Sequence, residues 1–487
     1  MKSANEKTKS DSKRNSAHNP SKIIEPARAA IERIVSEVWT LAETSLEEEK
    51  SAQVHLRELK DAGFTIVSTG TAGVPTAFIA EWSLGKGGPK IGFLPEYDAL
   101  PGLGNEAVPK QQPRKDGTTN GHGCGHNMMG AALTGAAIAA KHVMAAQNIP
   151  GTLRVYGAAS EETEGAKVYM ARAGLFDDLD ACLHWHPADI AGVMNISLSA
   201  ANALRIEFFG TTAHAANDPW KGRSALDALD LTSHALNMMR EHLEPTARIH
   251  WIYEAAGVAP NVVPDYACIK LLTRDADRPR VEASTTWIKQ IAEGAALATQ
   301  TKAKVSVYYG LHDLLPNTPL AQRMQAHLER VGVPEWTEEE QAFAKACQKE
   351  MGLAEKGLST GVIPLLPEPK IGGSSDVAEA SWNTPTMGVA LPTYPLGVSA
   401  HTWVVTACGG MSIGQKGALA AAKVITLTAL DLLTDADLRK AARADFDRRK
   451  GDYIYTSPLP ARQKHPLGLK SSNDGSVEAL AGLSKTK

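Results

Sequence analysis

The sequence predicts an α/β protein: a catalytic domain with a mainly parallel central sheet flanked by helices, and an inserted α/β sandwich that forms a lid or dimerisation domain. Three observations carry that reading. Short apolar runs alternate with helical patterns between residues 90 and 185, the β-α-β order of a parallel sheet. Near residue 200 the pattern changes to longer strands separated by two long helices. Residues suited to chemistry then resume at Asp376 and His401, so the second unit interrupts the first.

Taken in order, residues 1–21 are polar and basic and lack an apolar core, which predicts a disordered tail and no secretory signal. Ile31, Ile34, Val35, Val38 and Trp39 recur at helical spacing within Ile23 to Leu41. A second amphipathic helix is expected from Glu47 to Ala62, stopped by Gly63. Strands follow at Lys90 to Leu94, Leu153 to Ala159 and Ala181 to Trp185, with helices at Asn127 to Ala146 and Lys167 to Ala173. The inserted unit has expected strands at Leu204 to Phe209, Ala267 to Thr273 and Val305 to Tyr309, with helices at Ser224 to His242 and Arg280 to Leu297. A last apolar helix spans Gly414 to Leu433, and beyond about Arg443 the chain reads as a polar, Pro-rich tail. The resulting division is 22–199 with 311–441 for the catalytic domain, 200–310 for the insert and 442–487 for a C-terminal extension.

A chain of 487 residues suits about two domains. Its net charge of −3 offers no basic excess for nucleic acid, and no run reaches the roughly 18 apolar residues of a membrane span. Five scattered cysteines make a poor disulfide framework, so a reducing, cytoplasmic setting is expected.

Five segments carry chemistry. Gly121-His122-Gly123-Cys124-Gly125-His126-Asn127 interleaves glycines with donors; if extended, it turns His122, Cys124 and His126 to one side, and Asn127 could cap the following helix. Sulfur and imidazole donors so close suit Zn²⁺ or a similar transition metal, against a competing reading as a glycine-rich turn. Glu161 and Glu162 follow a strand, where one carboxylate could bind metal and the other act as general base, although a solvated helix start would look the same. His184 and His186 share one strand face, with Pro187 expected to end the strand. Asp98, in Glu96-Tyr97-Asp98, could accept a hydrogen bond from a metal-bound histidine, or simply make a turn. His401 stands alone, far along the chain.

These segments resemble the zinc aminoacylase and carboxypeptidase metallopeptidases, in the branch where a cysteine replaces the usual bridging aspartate. The likeness runs over residues 24 to 435 and rests on FLPEYDAL at 93–100, GHGCGHN at 121–127, SEETEG at 160–165, WHP at 185–187, AHAAN at 213–217, GRSALDA at 222–228, PNVV at 260–263 and HTW at 401–403. The resemblance implies a dinuclear centre of Zn²⁺ or Mn²⁺, with Co²⁺ as an alternative. It implies Cys124 as the bridge; His126, Glu162, His186 and His401 as the other ligands; Glu161 as base; and Asp98 behind a ligand histidine. It further implies that His214 polarises the substrate carbonyl, in dimers from the neighbouring subunit, and that Asn261 and Arg274 hold a substrate carboxylate. Asn127 stands where many relatives have Asp, and Asp376 matches a position near the site without an assigned role. The implied activity is hydrolysis of small N-acyl or N-aroyl amino acids or dipeptides, p-aminobenzoyl-glutamate-like compounds among them. The implied assembly is a homodimer or a pair with a sister subunit. Rival expectations are hydrolytic deamination of an aryl amine, a cysteine-nucleophile hydrolase, and a binding protein without turnover.

Overall fold

The structure is a computed structural model and describes residues 19–463 and 466. The expected N-terminal tail, up to residue 18, and the extension beyond 466 lie outside the described residues.

In chain order the principal elements are α1 (Glu25–Leu41), α2 (Glu49–Asp61), β1 (Thr65–Thr69), β2 (Phe78–Leu84), β3 (Lys90–Phe93), α3 (His126–Gln147), β4 (Gly151–Gly157), α4 (Ala166–Arg172), β5 (Ala181–Ala188), β6 (Gly192–Val193) and β7 (Ser197–Leu198). There follow β8 (Ala200–Phe209), α5 (Ala225–Arg240), β9 (Arg248–Ala255), β10 (Tyr266–Asp275), α6 (Arg278–Thr299) and β11 (Lys302–Leu311). The chain then runs through α7 (Thr318–Val331), α8 (Glu338–Glu350), β12 (Lys370–Ile371), α9 (Val377–Ser381), β13 (Thr386–Pro392), α10 (Trp403–Gly409), α11 (Ser412–Thr434) and α12 (Ala436–Lys450).

Among the described residues, seven strands form one sheet in the order β1-β2-β4-β3-β5-β13-β6. Its centre, β4-β3-β5-β13, is parallel, and β1, β2 and β6 pair antiparallel at the edges. The carboxyl ends of four parallel neighbours face one way, so the loops leaving β3, β4, β5 and β13 gather on one edge. A second sheet, β11-β8-β10-β9, is antiparallel throughout. One face of it buries Leu204, Ile206, Ile269 and Leu271 against α5 and α6. Its other face presents Ala203, Leu272 and Arg274 to the cleft beside the first sheet.

Helices α1 and α11 pack on α3 beneath the main sheet. α3 and α11 are long and apolar enough to cross a membrane, although neither is an unbroken apolar run; both are largely buried within this protein. Their Ala and Gly content permits close approach. Gly135 of α3 faces Ile31 of α1 so closely that a β-carbon there would overlap the isoleucine side chain.

Four expectations need correction. β5 does not stop at Pro187 but continues to Ala188. Only Ala181, Cys182 and Leu183 pair with β3, so beyond them β5 has a partner on one side, where a missing N–H is tolerated. Strands β1, β2, β9 and β13 and helices α7 and α8 are absent from the expected elements; in β9 the two residues packed on the insert's core, Ile249 and Trp251, are set between Arg248, His250 and an exposed Ile252. The polar tail expected beyond Arg443 begins as helix α12, whose N-cap Asp435 accepts from the Leu438 N–H and whose Leu438, Ala442 and Phe446 are buried at a spacing of four. The tail then folds back. The Tyr453 hydroxyl lies 2.8 Å from His312 Nε2, just past β11, and Gln463 Nε2 donates to the Tyr308 carbonyl in β11 at 2.9 Å and to the Tyr169 hydroxyl in α4 at 3.0 Å. Finally, Asn127 does not cap α3. The N-cap is Gly125, and Asn127 Nδ2 instead donates to the carbonyls of Val35 and Gly409 at 3.1 and 3.2 Å.

Replacing Gly135 by Ala adds helix propensity but overpacks the α1–α3 contact. A net loss of about 1–2 kcal/mol is expected, seen as a lower unfolding midpoint, and it should shrink when Gly135→Ala is made in an Ile31→Ala background, which removes the overlapping Cγ1 and Cδ1. Equal midpoints for Gly135→Ala and the parent would contradict the close approach.

Candidate metal centre

Four loops build the site, one from each parallel strand end. Glu96 and Asp98 follow β3, Glu161 and Glu162 follow β4, His186 lies near the end of β5, and His401 lies in the loop after β13. Cys124 and His126 come from the turn into α3, where Gly125 at φ 84° adopts a left-handed conformation that glycine takes without strain. This turn, and not an extended segment, orients the motif. Gly125 N–H bonds the His122 carbonyl at 3.1 Å, and His122 points away, its Nε2 2.9 Å from the Val38 carbonyl.

Two donor triads meet at one sulfur. Cys124, His126 and His186 place their donor atoms within 4.8 Å of one another, and so do Cys124, Glu162 and His401. Cys124 Sγ is 3.4 Å from His186 Nε2, and His401 Nε2 is 3.3 Å from Glu162 Oε1. His126 Nε2 and Glu162 Oε1 are both buried without a hydrogen-bond partner among the described residues. Buried acceptors without a partner are what a cation would satisfy, and one thiolate, three imidazoles and a carboxylate suit a transition metal.

Asp98 organises the ligands. It is buried; Oδ1 accepts from His126 Nδ1 at 2.8 Å, while Oδ2 accepts from Ser45 Oγ at 2.8 Å and from the Glu162 N–H at 3.0 Å. Burial alone would push its carboxyl up, but the His126 ring and these hydrogen bonds outweigh it and hold it down at about 2. An ionised Asp98 keeps the proton of His126 on Nδ1 and leaves the Nε2 lone pair inward. His186 is fixed in the same sense, its Nδ1 2.7 Å from the Pro187 carbonyl. His184 is buried on the same strand face and packs against Gly388 of β13, so the ring that meets Cys124 is that of His186.

Two residues of the site carry backbone strain. Ser160 and His401 are non-glycine residues at φ 57° and 61°, each costing about 1–2 kcal/mol that the surroundings must offset. The His401 N–H donates to the Gly123 carbonyl at 2.7 Å, and the Ser160 N–H donates to buried Glu48 Oε1 at 2.7 Å. Burial, followed by the Asp98 charge, raises Glu48 to about 8.

Glu161 lies beside the triads, its carboxylate grouped with Glu96 and His126 Nε2 within 4.8 Å. Burial, then the Glu96 and Asp376 carboxylates, hold its carboxyl well above the usual range. Glu96 belongs to a motif legible in the sequence, yet sequence reasoning assigns it no role; its signal is its place two residues from Asp98 at the same strand end. Lys167, which contacts Glu96 at 2.7 Å, carries no local signal at all, since a lysine in the first turn of a helix ordinarily faces water.

The centre opens into a cleft of about 850 Å³ lined by Glu161, His186, Trp251, Leu272, Arg274 and Tyr309 among others. Arg274 Nε is buried and unpartnered among the described residues. His214 and Asn261 are not brought to this cleft. His214 is exposed in the inserted unit, its Nδ1 accepting the N–H groups of Ala216 and Asn217 at 3.2 and 3.1 Å, and the Asn261 carbonyl accepts the Ala215 N–H at 3.1 Å.

Comparison with known proteins gives the family. Residues 93–402 match the profile of Peptidase family M20/M25/M40. The chain is 36% identical over 464 residues to the B subunit of p-aminobenzoyl-glutamate hydrolase from Escherichia coli (strain K12), covering 90% of this chain and 96% of that protein. It is 27% identical over 384 residues to the Xaa-Arg dipeptidase of Mus musculus, covering 77% and 78% of the two chains. The fold is shared with a dinuclear metal-binding peptidase of the M20 family from Bacillus subtilis, at a TM-score of 0.55 and 18% identity over 83% of this chain and 99% of that one. Matched over most of its length by both sequence and fold, the chain belongs to Peptidase family M20/M25/M40 and is a hydrolase of amide or peptide bonds.

Proposed function

We propose that the enzyme splits the amide bond of a small N-acyl or N-aroyl amino acid, with Glu161 as general base beside a dinuclear centre held by Cys124, His126, Glu162, His186 and His401. The observation that carries this reading is the single sulfur shared by two donor triads. When bound, two divalent cations would supply Lewis acidity, making a water easier to deprotonate and a carbonyl more electrophilic. The donor set favours Zn²⁺, with Mn²⁺ or Co²⁺ as alternatives.

Glu161 takes a proton from the attacking water and returns it to the departing amine. Asp98 acts through His126, holding it in one tautomer. The unpartnered guanidinium of Arg274 is the residue we assign to a substrate carboxylate, and Asn261 is assigned to the same group. Because Nδ1 of His214 accepts from the N–H groups of Ala216 and Asn217, Nε2 is the ring nitrogen left to donate to a developing oxyanion. Because His214 lies outside the cleft of its own chain, this role calls for a second copy of the chain, and a homodimer provides it. A sister subunit is the alternative partner, since the Escherichia coli relatives include both the A and the B subunit of p-aminobenzoyl-glutamate hydrolase. A cytoplasmic setting suits five free cysteines.

A cysteine-nucleophile reading has one observation in its favour, the 3.4 Å contact between Cys124 Sγ and His186 Nε2. Chelation separates the two. Dialysis against a strong chelator should abolish turnover of N-acyl amino acids, and added Zn²⁺ or Mn²⁺ should restore it. Full activity in metal-free protein, lost on alkylation of Cys124, would establish the thiol as nucleophile instead.

Glu161→Gln should retain bound metal and lose turnover by about 10²–10⁴-fold. A rate near that of the parent would remove Glu161 from the role of base. Arg274→Met should raise KM by roughly 10- to 100-fold for a substrate with a free carboxylate and leave a carboxamide analogue nearly unaffected. Equal effects on both compounds would show that Arg274 does not recognise the carboxylate.

A further inference from the structure

Lys167, in the first turn of α4, is fully buried, an unfavourable place for an ammonium without partners. Its Nζ donates to Glu96 Oε1 at 2.7 Å and to Asp376 Oδ1, and its backbone N–H donates to Asp376 Oδ2 at 3.1 Å. These three residues belong to three strand-end segments. Glu96 leaves β3, Lys167 follows the loop after β4, and Asp376 is the N-cap of α9 ahead of β13.

The loop between β4 and Lys167 is closed on itself. The N–H groups of Glu164 and Gly165 donate to the Ser160 carbonyl at 3.1 and 2.7 Å, and the Ala166 N–H donates to the Ala159 carbonyl at 3.1 Å. Glu161 therefore sits between two anchors, the Ser160 N–H bound by Glu48 and the ammonium of Lys167. The arrangement also points into the site. Glu96 Oε2 has no hydrogen-bond partner among the described residues, lies 3.3 Å from His126 Nε2, and is grouped with the Glu161 carboxylate.

We infer that Lys167 is a positioning residue for the general base: by joining Glu96 to Asp376, its ammonium fixes the loop that carries Glu161 against the ligand histidine. Lys167 touches no substrate and takes no proton. It sets where the Glu161 carboxylate stands, and Asp376 is its necessary counterpart. The inference rests on the reading of Glu161 as base.

The test compares Lys167→Met and Asp376→Asn, each alone and combined with Glu161→Gln, by kcat, KM, metal content per chain and thermal unfolding. Lys167→Met should lower kcat by about 100-fold, the cost of an ångström-scale misplacement, with KM and metal content near those of the parent. Asp376→Asn, which keeps the shape of the side chain, should act in the same direction and more weakly. Groups that act as one unit lose rate only once, so Lys167→Met should add almost nothing to the loss caused by Glu161→Gln. If Lys167→Met does not yield folded protein, Asp376→Asn carries the same comparison. A folded variant with parental kcat overturns the positioning role. So does a loss that multiplies with that of Glu161→Gln, or one that tracks lost metal. An active Glu161→Gln would instead overturn the reading of the base, which separates the two failures.

Discussion

The hydrogen bonds converging on Asp98 are the constraint on which the site depends. One carboxylate, withdrawn from water, accepts from the His126 ring, from the backbone of Glu162 and from a serine in the segment between α1 and α2. It thereby ties the turn into α3 to the loop after β4, which are neighbours only because β3 and β4 run parallel side by side. Parallel pairing places these loops on one edge, and the buried carboxylate then fixes their relative angle. The two orphaned donor atoms, on His126 and Glu162, both belong to residues that Asp98 holds.

Much of this was legible in the sequence because strand ends and glycine-rich turns leave local marks. FLPEYDAL, SEETEG and WHP each contain polar donors directly after an apolar run, GHGCGHN interleaves its donors with glycines, and the structure brings Asp98, Cys124, His126, Glu162, His186 and His401 to one place. What escaped had no local mark or a misleading one. Strand β9 and helix α12 are rich in charge and show their apolar face only by period. Lys167 is invisible as a site element until the fold removes it from water and supplies two carboxylates from residues 71 and 209 positions away. His214 and Asn261 lie outside the single-chain cleft; for His214 the family resemblance implies service to a neighbouring subunit, whereas for Asn261 spacing along one chain carries no such signal.

The electrostatics of the interior are unusual in being crowded with acids. Glu48, Glu96, Asp98 and Asp376 are all buried near Glu161, with one lysine and a few histidines to face them. Such groups are ordinarily avoided in a core, because removing one partner of a buried pair costs about 3–5 kcal/mol. Here the buried carboxylates lie beside the donor atoms of Cys124, His126, Glu162, His186 and His401, which are grouped closely enough to hold cations. Stability and catalysis then draw on the same charges, which explains why the most strained backbone at the site, at Ser160 and His401, is pinned by hydrogen bonds to its immediate neighbours.

The segment after α12 has a consequence for how the molecule is made. Tyr453 and Gln463 grip His312 and the Tyr308 carbonyl, at the point where the chain leaves the inserted unit to resume the main body. A nascent polypeptide that has emerged from the ribosome only as far as residue 450 has every strand of both sheets but lacks this latch. The inserted unit can therefore complete its own core early in synthesis; Glu379 and Trp382 already hold the junction at His312 and Asp313, and the last contacts are added when translation has passed Gln463.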